Sequence, residues 1–528
     1  MIYILYSVLI SILYLILRFK KNLHILQQNF YNENNRYIKW GFNNINNVFK
    51  FDIVLVLLSI LNIFIKSKYI VLLNIIYVIL YIKEYNKIKN EQVKIPLKIT
   101  SRVKRMIVTN IIIYLIPIII YIINRNIFIF NLLYTILISL NYYIVWISNI
   151  INKPIEKCVF LYYKNKAVKK LKNLNNLKVV GITGSYGKTS SKNILNDILN
   201  VKYNSICTPH NYNTQYGLIL TINNYIDKFN DVFIAEMGAF KRGRIKLLCD
   251  LVKPKYGIIT SIGTAHLETF GSRENIQKGK FELIESLPTD GIGILNMDDT
   301  YQVNYKIKNN IKIIWIGINN KEADLYADNI KIDSNGMMFD VYFKDINKKH
   351  TFSTRLLGNS NIYNILAGIA FSKYIMNMTL EEIELGVKRI KTIEHRLELK
   401  NYNDITIIDD AYNSNPVGSK MALDVLKLMK GLKIVVTPGM IELGDEEYKL
   451  NKLFGEYISE VADYVILVGK KQTKPILDGL KDKLYNEDKI YVVNDVKEYI
   501  NIVNSIKEKD KHTYILLEND LPDIFNEK

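Results

Sequence analysis

The 528-residue chain reads as an α/β protein with three parts. These are an N-terminal helical membrane region, a central P-loop ATPase-type domain on a parallel sheet, and a C-terminal Rossmann-like domain. Three observations predict this order. Apolar runs crowd the first 150 residues, a glycine-rich run from Gly181 to Leu195 follows a strand pattern, and strand-like and helix-like runs alternate from residue 177 onward. The expected boundaries are 1–150 for about five transmembrane helices, 151–177 for a cytoplasmic linker, 178–396 for the ATP-binding domain and 397–528 for the C-terminal domain.

The first part rests on apolar runs near 1–17, 51–65, 69–82, 106–123 and 127–147. Basic residues fill 19–50 and 84–106, and a hairpin at Lys66-Ser67-Lys68 puts both loops on one side with the lysine-rich stretch after 151. Five spans follow, with the N-terminus outside, membrane lipid as a partner and the catalytic part in the cytoplasm. No charged residue sits at mid-depth in any run, which argues against a transport pathway. A cleaved signal peptide fits poorly, because no basic segment precedes residues 1–17 and no small-residue cleavage site follows. The formal charge of +19 accompanies a chain rich in Lys, Asn, Ile and Tyr, without an arginine-rich stripe. Nucleic acid is therefore not an expected partner. Three cysteines, Cys158, Cys207 and Cys249, lack metal-ligand spacing and read as reduced thiols.

The second part rests on the run GITGSYGKTSSKNIL. Glycines let the backbone wrap around phosphates, so Gly184, Ser185, Tyr186 and Gly187 form a cradle of N–H groups. Lys188 then reaches the terminal phosphates, Thr189 offers its hydroxyl to Mg²⁺, and Ser190 opens the following helix. Position 182 is Ile rather than Gly, so the spacing is a variant of the usual phosphate loop. Glu236 ends the apolar strand of IAEMGA, where a carboxylate can hold Mg²⁺. His266 follows another strand, at the edge where open α/β sheets bind ligands. The chain has no N-K-x-D sequence for guanine, which weakens a GTPase reading. Residues 325–356 alternate polar and apolar around Asn335-Gly336, as an antiparallel hairpin does. The third part starts at about residue 400, with strands at 405–409, 433–437 and 464–469 and near 490 and 514, and helices at 417–430 and 445–460.

These motifs together resemble the Mur ligase family, which makes peptide bonds in cell-wall precursors at the expense of ATP. The resemblance spans about 178–528 and is carried by TGSYGKT, Asn211-Tyr212-Asn213, AEMGA, GTAHLETFGS, ENIQKGKFE, GILNMDD, GNSNIYNILA, EHR and DDAYNSNP. The Asn-x-Asn, FGSRE and DDAYNSNP runs are most similar to the MurF type. The resemblance implies a bacterial enzyme of peptidoglycan synthesis that adds D-Ala-D-Ala, or another amine, to a nucleotide-linked or lipid-linked wall precursor. It implies ATP and two Mg²⁺ ions as cofactors. Lys188 is similar to the γ-phosphate lysine, Thr189 and Glu236 to ligands of the first Mg²⁺, and His266 to a ligand of the second. Lys280 corresponds to a lysine carbamylated by CO₂, which supports that second ion. Asn361 and Asn364 resemble the asparagines facing adenine, Arg396 the arginine that crosses from the hinge to the phosphates, and Asp410 the ribose carboxylate. Asn211, Asn213, Thr214, Asn413 and Asn415 fall in the substrate segments, while His395 and Asp409 read as structural neighbours.

The implied chemistry is coherent. Joining a carboxylate to an amine in water is uphill, and an acyl phosphate made from ATP drives it. Lys188, Arg396 and the metal ions neutralise the crowded oxygens, and closure at the junction near 396 excludes water. Three departures bear on the acceptor. Membrane runs stand where soluble MurF enzymes have a sugar-binding domain, Ser360 replaces a common His, and LLENDLPD (516–523) replaces a Lys-Gly-Ser turn. The rival readings are a ligase for a lipid-linked or non-murein acceptor, an ATP-powered transporter or assembly factor, and an inactive scaffold.

Overall fold

Apolar strands alternating with amphipathic helices build two sheets in the computed structural model, which describes residues 2–49, 52–65, 69–90, 96–333, 336–392, 395–411, 415–441, 443–508 and 511–519. The chain divides into two units, Met1–Tyr162 and Tyr163–Lys528.

In the second unit the first sheet contains β1 (Lys178–Thr183), β2 (Ser205–Cys207), β3 (Val232–Glu236), β4 (Tyr256–Ile259), β5 (Ile292–Asn296), β6 (Lys312–Gly317), β7 (Leu325–Asp333), β8 (Gly336–Phe343) and β9 (Lys348–Thr354). Their spatial order is β2-β3-β1-β4-β5-β6-β7-β8-β9. Neighbours from β2 to β7 pair in parallel, and β7–β8 and β8–β9 pair antiparallel. The expected hairpin is thus a three-stranded meander; Asn335 lies outside the described residues. From β1 the chain moves first to the β2–β3 side and then back to β4. The carboxyl ends of β1 and β4 therefore form the crevice where such sheets take ligands.

Parallel strands buried on both faces read as continuous apolar runs, and β3 is buried at all five positions. Helix Asn359–Tyr374 packs Ile362, Ile365, Leu366 and Ile369 into a core shared with Ile194, Leu195 and Ile198 of helix Lys188–Leu199. Gly368 lets the two helices approach, since a Cβ there would come within 2.8 Å of Ile198 Cδ1. The second sheet holds β10 (Glu398–Tyr402), β11 (Ile405–Asp410), β12 (Leu432–Thr437), β13 (Tyr464–Val468), β14 (Ile490–Val493) and β15 (Thr513–Glu518), in the order β10-β11-β15-β12-β13-β14. Only β10 runs antiparallel to its neighbour. The α/β class, with its parallel-dominated central and C-terminal sheets, is as the sequence predicts.

The first unit is helical, but it corrects the expectation of a multi-pass membrane protein. Among the described residues one helix, Ser101–Asn124, is long and apolar enough to cross a membrane; a second crossing requires counting Ile127–Ser139 and Asn141–Lys172, bent by 78°, as one. About five spans are not supported, and neither is the membrane localisation built on them. The reasons are physical. Helix Asp52–Ile65 has 14 residues and reaches only about 21 Å, against about 30 Å of hydrocarbon. Helix Ile2–Gln28 joins an apolar stretch to Arg18, Lys20 and Lys21, and helix Tyr69–Asn90 ends in a stretch with Lys83, Glu84, Lys87 and Lys89. The turn expected at 66–68 lies outside the described residues.

The interior of this unit is also charged. Arg18 pairs with Asp52, the two side chains being 5% and 0% exposed, and donates to Val48 O. Tyr14 donates to Asp52 Oδ1 at 3.4 Å, and Lys21 pairs with Glu84 at 3.1 Å. Helix Asn141–Lys172 also occupies most of the stretch expected as a linker.

Candidate functional site

The site starts where β1 ends. Gly184 must be glycine because a Cβ would lie 2.0 Å from Thr260 Oγ1. Gly187 adopts φ +79° and starts helix Lys188–Leu199; a Cβ there would lie 3.1 Å from Asn364 Oδ1. The loop is tied to the end of β4. Ser185 N donates to Ser261 O at 2.8 Å, Gly263 N donates to Ser185 Oγ at 2.9 Å, and the Tyr186 and Thr264 hydroxyls lie 3.0 Å apart. Tyr186 therefore connects the loop to the segment that leads into His266, which takes φ +59° ahead of helix Leu267–Phe270.

Lys188 folds back over this loop, donating to Gly184 O at 2.8 Å and Ser185 O at 3.0 Å. Removal from water lowers its pKa to about 8; Glu236 opposes the shift and Arg396 adds to it. Lys188 thus lies within electrostatic reach of both Glu236 and Arg396.

Glu236 is the hub of the site. It is 1% exposed, and its Oε1 accepts from Thr189 Oγ1 at 3.2 Å and Asn213 Nδ2 at 3.1 Å. Its Oε2 is buried without a hydrogen-bond donor and faces Lys192 Nζ in an ion pair at 3.1 Å. A buried carboxylate whose Oε1 already meets the Thr189 hydroxyl suits a hard divalent cation. Lys192 was not singled out from the sequence. Its place one helical turn after Lys188, on the same face, is the signal that could have found it.

Lys280, on helix Arg273–Glu285, is 1% exposed, donates to Ala239 O at 3.3 Å and lies 5.5 Å from the Phe270 ring centre. Burial holds its pKa well below the usual lysine range, Lys188 pushes it further down, and Glu282 opposes. Glu282 itself accepts from the backbone N–H groups of Gly243 and Lys246, at 2.6 and 3.1 Å.

A cavity of about 810 Å³ runs from this loop to the second sheet. Tyr186, Gly187, Ser190, Asn361 and Asn364 line it on one side, and Arg396, Asp410 and Asn415 on the other. Burial raises the Asp410 pKa to about 6 against the pull of Arg396, and Leu397 N donates to Asp410 Oδ1 at 3.2 Å. His395 Nδ1 and Lys400 Nζ both meet Asp409 Oδ2, at 2.7 and 2.5 Å.

Several expected substrate residues have local structural partners. Thr214 caps helix Gln215–Asn224 by accepting from Gly217 N, and Asn415 caps helix Pro416–Leu428 by accepting from Gly418 N. Asn211 is exposed, and its carbonyl accepts from Asn213 N at 2.8 Å. Asn413 lies outside the described residues.

Residues 182–372 match the Mur ligase middle domain, and residues 395–515 match the Mur ligase glutamate ligase domain. The chain is 33% identical over 298 residues to the UDP-N-acetylmuramoyl-tripeptide–D-alanyl-D-alanine ligase of Bacillus subtilis, covering 56% of this chain and 63% of that protein. It is 30% identical over 342 residues to the ligase of the same name from Buchnera aphidicola, covering 61% and 73%. The chain therefore spans less than two thirds of the Bacillus protein's length. The fold is similar to that of MurF from Thermotoga maritima, solved in complex with ADP. That likeness has a TM-score of 0.61 and 24% identity, covering 68% of this chain and 80% of that one. With a shared parallel-sheet fold, two matching domains and MurF-type relatives, the chain belongs to the Mur ligase family.

Proposed function

We propose that the chain is an ATP-dependent amide ligase of peptidoglycan precursor synthesis that joins D-Ala-D-Ala to UDP-N-acetylmuramoyl-tripeptide. The observation that carries this reading is the Glu236 hub, with Thr189, Asn213 and Lys188 around one carboxylate at the end of β3. Residues 178–396 form the ATP-binding domain in this reading, and 397–528 the C-terminal domain.

The acceptor carboxylate attacks the γ-phosphorus, the bond to the β–γ bridging oxygen breaks, and ADP departs, leaving an acyl phosphate. The amine then attacks the acyl carbon, phosphate leaves, and the nitrogen gives up a proton. Gly184 to Ser190 wrap the phosphates, Lys188 and Arg396 oppose their charge, Asn361 and Asn364 face the base, and Asp410 holds the ribose. Asn211, Asn213, Thr214, Asn413 and Asn415 belong to the acceptor and amine side. Thr189 and Glu236 would hold one Mg²⁺, and His266 with Lys280 would hold a second. Bound magnesium neutralises phosphate oxygens as charge shifts between them. Burial beside Lys188 favours the uncharged Lys280 amine, the form that can take up CO₂ as a carbamate.

The test is phosphate release by the purified full-length chain with ATP, Mg²⁺, the UDP-linked tripeptide and D-Ala-D-Ala, with products identified by mass. Ligated UDP-pentapeptide, formed only with both substrates, is the expected result. Phosphate release independent of any amine overturns the ligase reading, and product from a lipid-linked tripeptide alone reassigns the acceptor.

A further inference from the structure

Lys192 is a buried ammonium that the reaction above does not use. It lies on helix Lys188–Leu199, is 1% exposed, donates to His210 O at 2.5 Å and stands 3.1 Å from Glu236 Oε2. Glu236 therefore already carries a fixed counter-charge from the helix that follows the phosphate loop. Its other oxygen is engaged by Thr189 and Asn213. A carboxylate in this state differs from an ordinary metal ligand. A divalent cation placed about 2.1 Å from its oxygen comes close to the Lys192 ammonium, in a buried setting where like charges repel strongly. Lys188 stands on the same helix one turn earlier, and its side chain covers the loop. Two cations thus face one anion before any ligand arrives. A triphosphate reverses that balance, because its several negative charges outweigh both lysines.

We infer that Lys192 is a positioning residue that keeps a lone divalent cation off Glu236 and admits the metal only together with the nucleotide's phosphates. This rests on the nucleotide-site reading above, but not on the identity of the acceptor. In this arrangement the Lys192 ammonium fixes the rotamer of Glu236 through Oε2 and leaves Oε1 to turn toward the metal when Thr189 releases it. The same ammonium holds His210 O, so the segment leading to Asn211–Asn213 is anchored to the carboxylate it serves.

The test measures protein-bound Mn²⁺ by equilibrium dialysis of the full-length chain at fixed free Mn²⁺, with no acceptor present, so that the Mn²⁺–nucleotide complex free in solution is equal on both sides and cancels. The native chain is expected to bind Mn²⁺ at least about 30-fold more weakly alone than with a non-hydrolysable ATP analogue. Lys192→Met is expected to tighten binding of Mn²⁺ alone at least about tenfold, and Lys192→Arg to leave it as in the native chain. Equal native affinities with and without the analogue overturn the inference. So does a folded Lys192→Met chain, checked by circular dichroism, with unchanged affinity for Mn²⁺ alone. If Lys192→Met does not fold, Lys192→Gln takes its place in the same comparison. Absence of Mn²⁺ binding by the native chain even with the analogue overturns the nucleotide-site reading itself, a separate result from the other two.

Discussion

The two units each bury an acid against a base, and they do so differently. In the first unit Asp52 and Arg18 satisfy one another: both carboxylate oxygens have donors, and the guanidinium also reaches Val48 O. In the second, Glu236 faces the Lys192 ammonium at 3.1 Å while Lys188 and Lys280 are buried in the same region, so the lysines outnumber this carboxylate. A balanced pair holds helices together, whereas an unbalanced cluster is organised around charge that a ligand must bring. Burial of charge alone does not mark a site; the mismatch does.

The largest expected effects separate these roles. Asp52→Ala leaves Arg18 buried without its partner and should cost about 3–5 kcal/mol in a denaturant melt of the full chain. Glu236→Gln leaves the buried Lys192 ammonium without its counter-charge and should also cost about 3–5 kcal/mol, but it alone should lower product formation by the folded chain at least about 100-fold. Equal losses of product formation in the two folded variants would erase the distinction. The next effect is on pH. Lys188 loses its proton near pH 8 in the free chain, so nucleotide affinity should fall about tenfold per pH unit above that. The sign for stability is opposite: the unfolded chain holds this proton up to the ordinary lysine value, so folding strengthens as pH rises through that window. Titration calorimetry and melts of Lys188→Met, which should lose both trends, check this.

Tyr186→Phe removes the hydroxyl's contacts with Thr264 and the adjoining backbone and should lower kcat/KM about fivefold, the worth of roughly one neutral hydrogen bond. The smallest effect belongs to Arg273, which pairs with Glu446 at 2.9 Å with both side chains partly exposed. Arg273→Ala should cost less than about 1 kcal/mol, and added salt should remove the difference.

The phosphate loop was legible because its glycines answer to local geometry: Gly184 and Gly187 are required by contacts within a few ångströms. The strands of both sheets were legible for a related reason, since burial on two faces writes continuous apolar runs. Lys192 was only partly legible: its spacing puts it on the same helix face as Lys188, but a lysine so placed ordinarily points to water. Only the fold brings Glu236, 44 positions away, beside it. The first unit was misread for the same cause. Apolar runs measure composition, but Arg18 and Asp52 are 34 residues apart and their pairing is invisible along the chain. Thr214 and Asn415 show the converse, since residues in family motifs also do ordinary capping work.

One contact in the core has a consequence at some distance. Helices Lys188–Leu199 and Asn359–Tyr374 meet at Gly368 and Ile198, and their N-terminal ends bring Gly187 to Asn364. The pair works as calipers, with its fulcrum among apolar side chains and its jaws at Gly187 and the buried Asn364. The spacing of Asn364 from the loop at Gly187 therefore depends on how closely the helices meet at position 368. A methyl group added there presses on the Ile198 side chain, so the width of this gap is a dimension that the hydrophobic core helps to set.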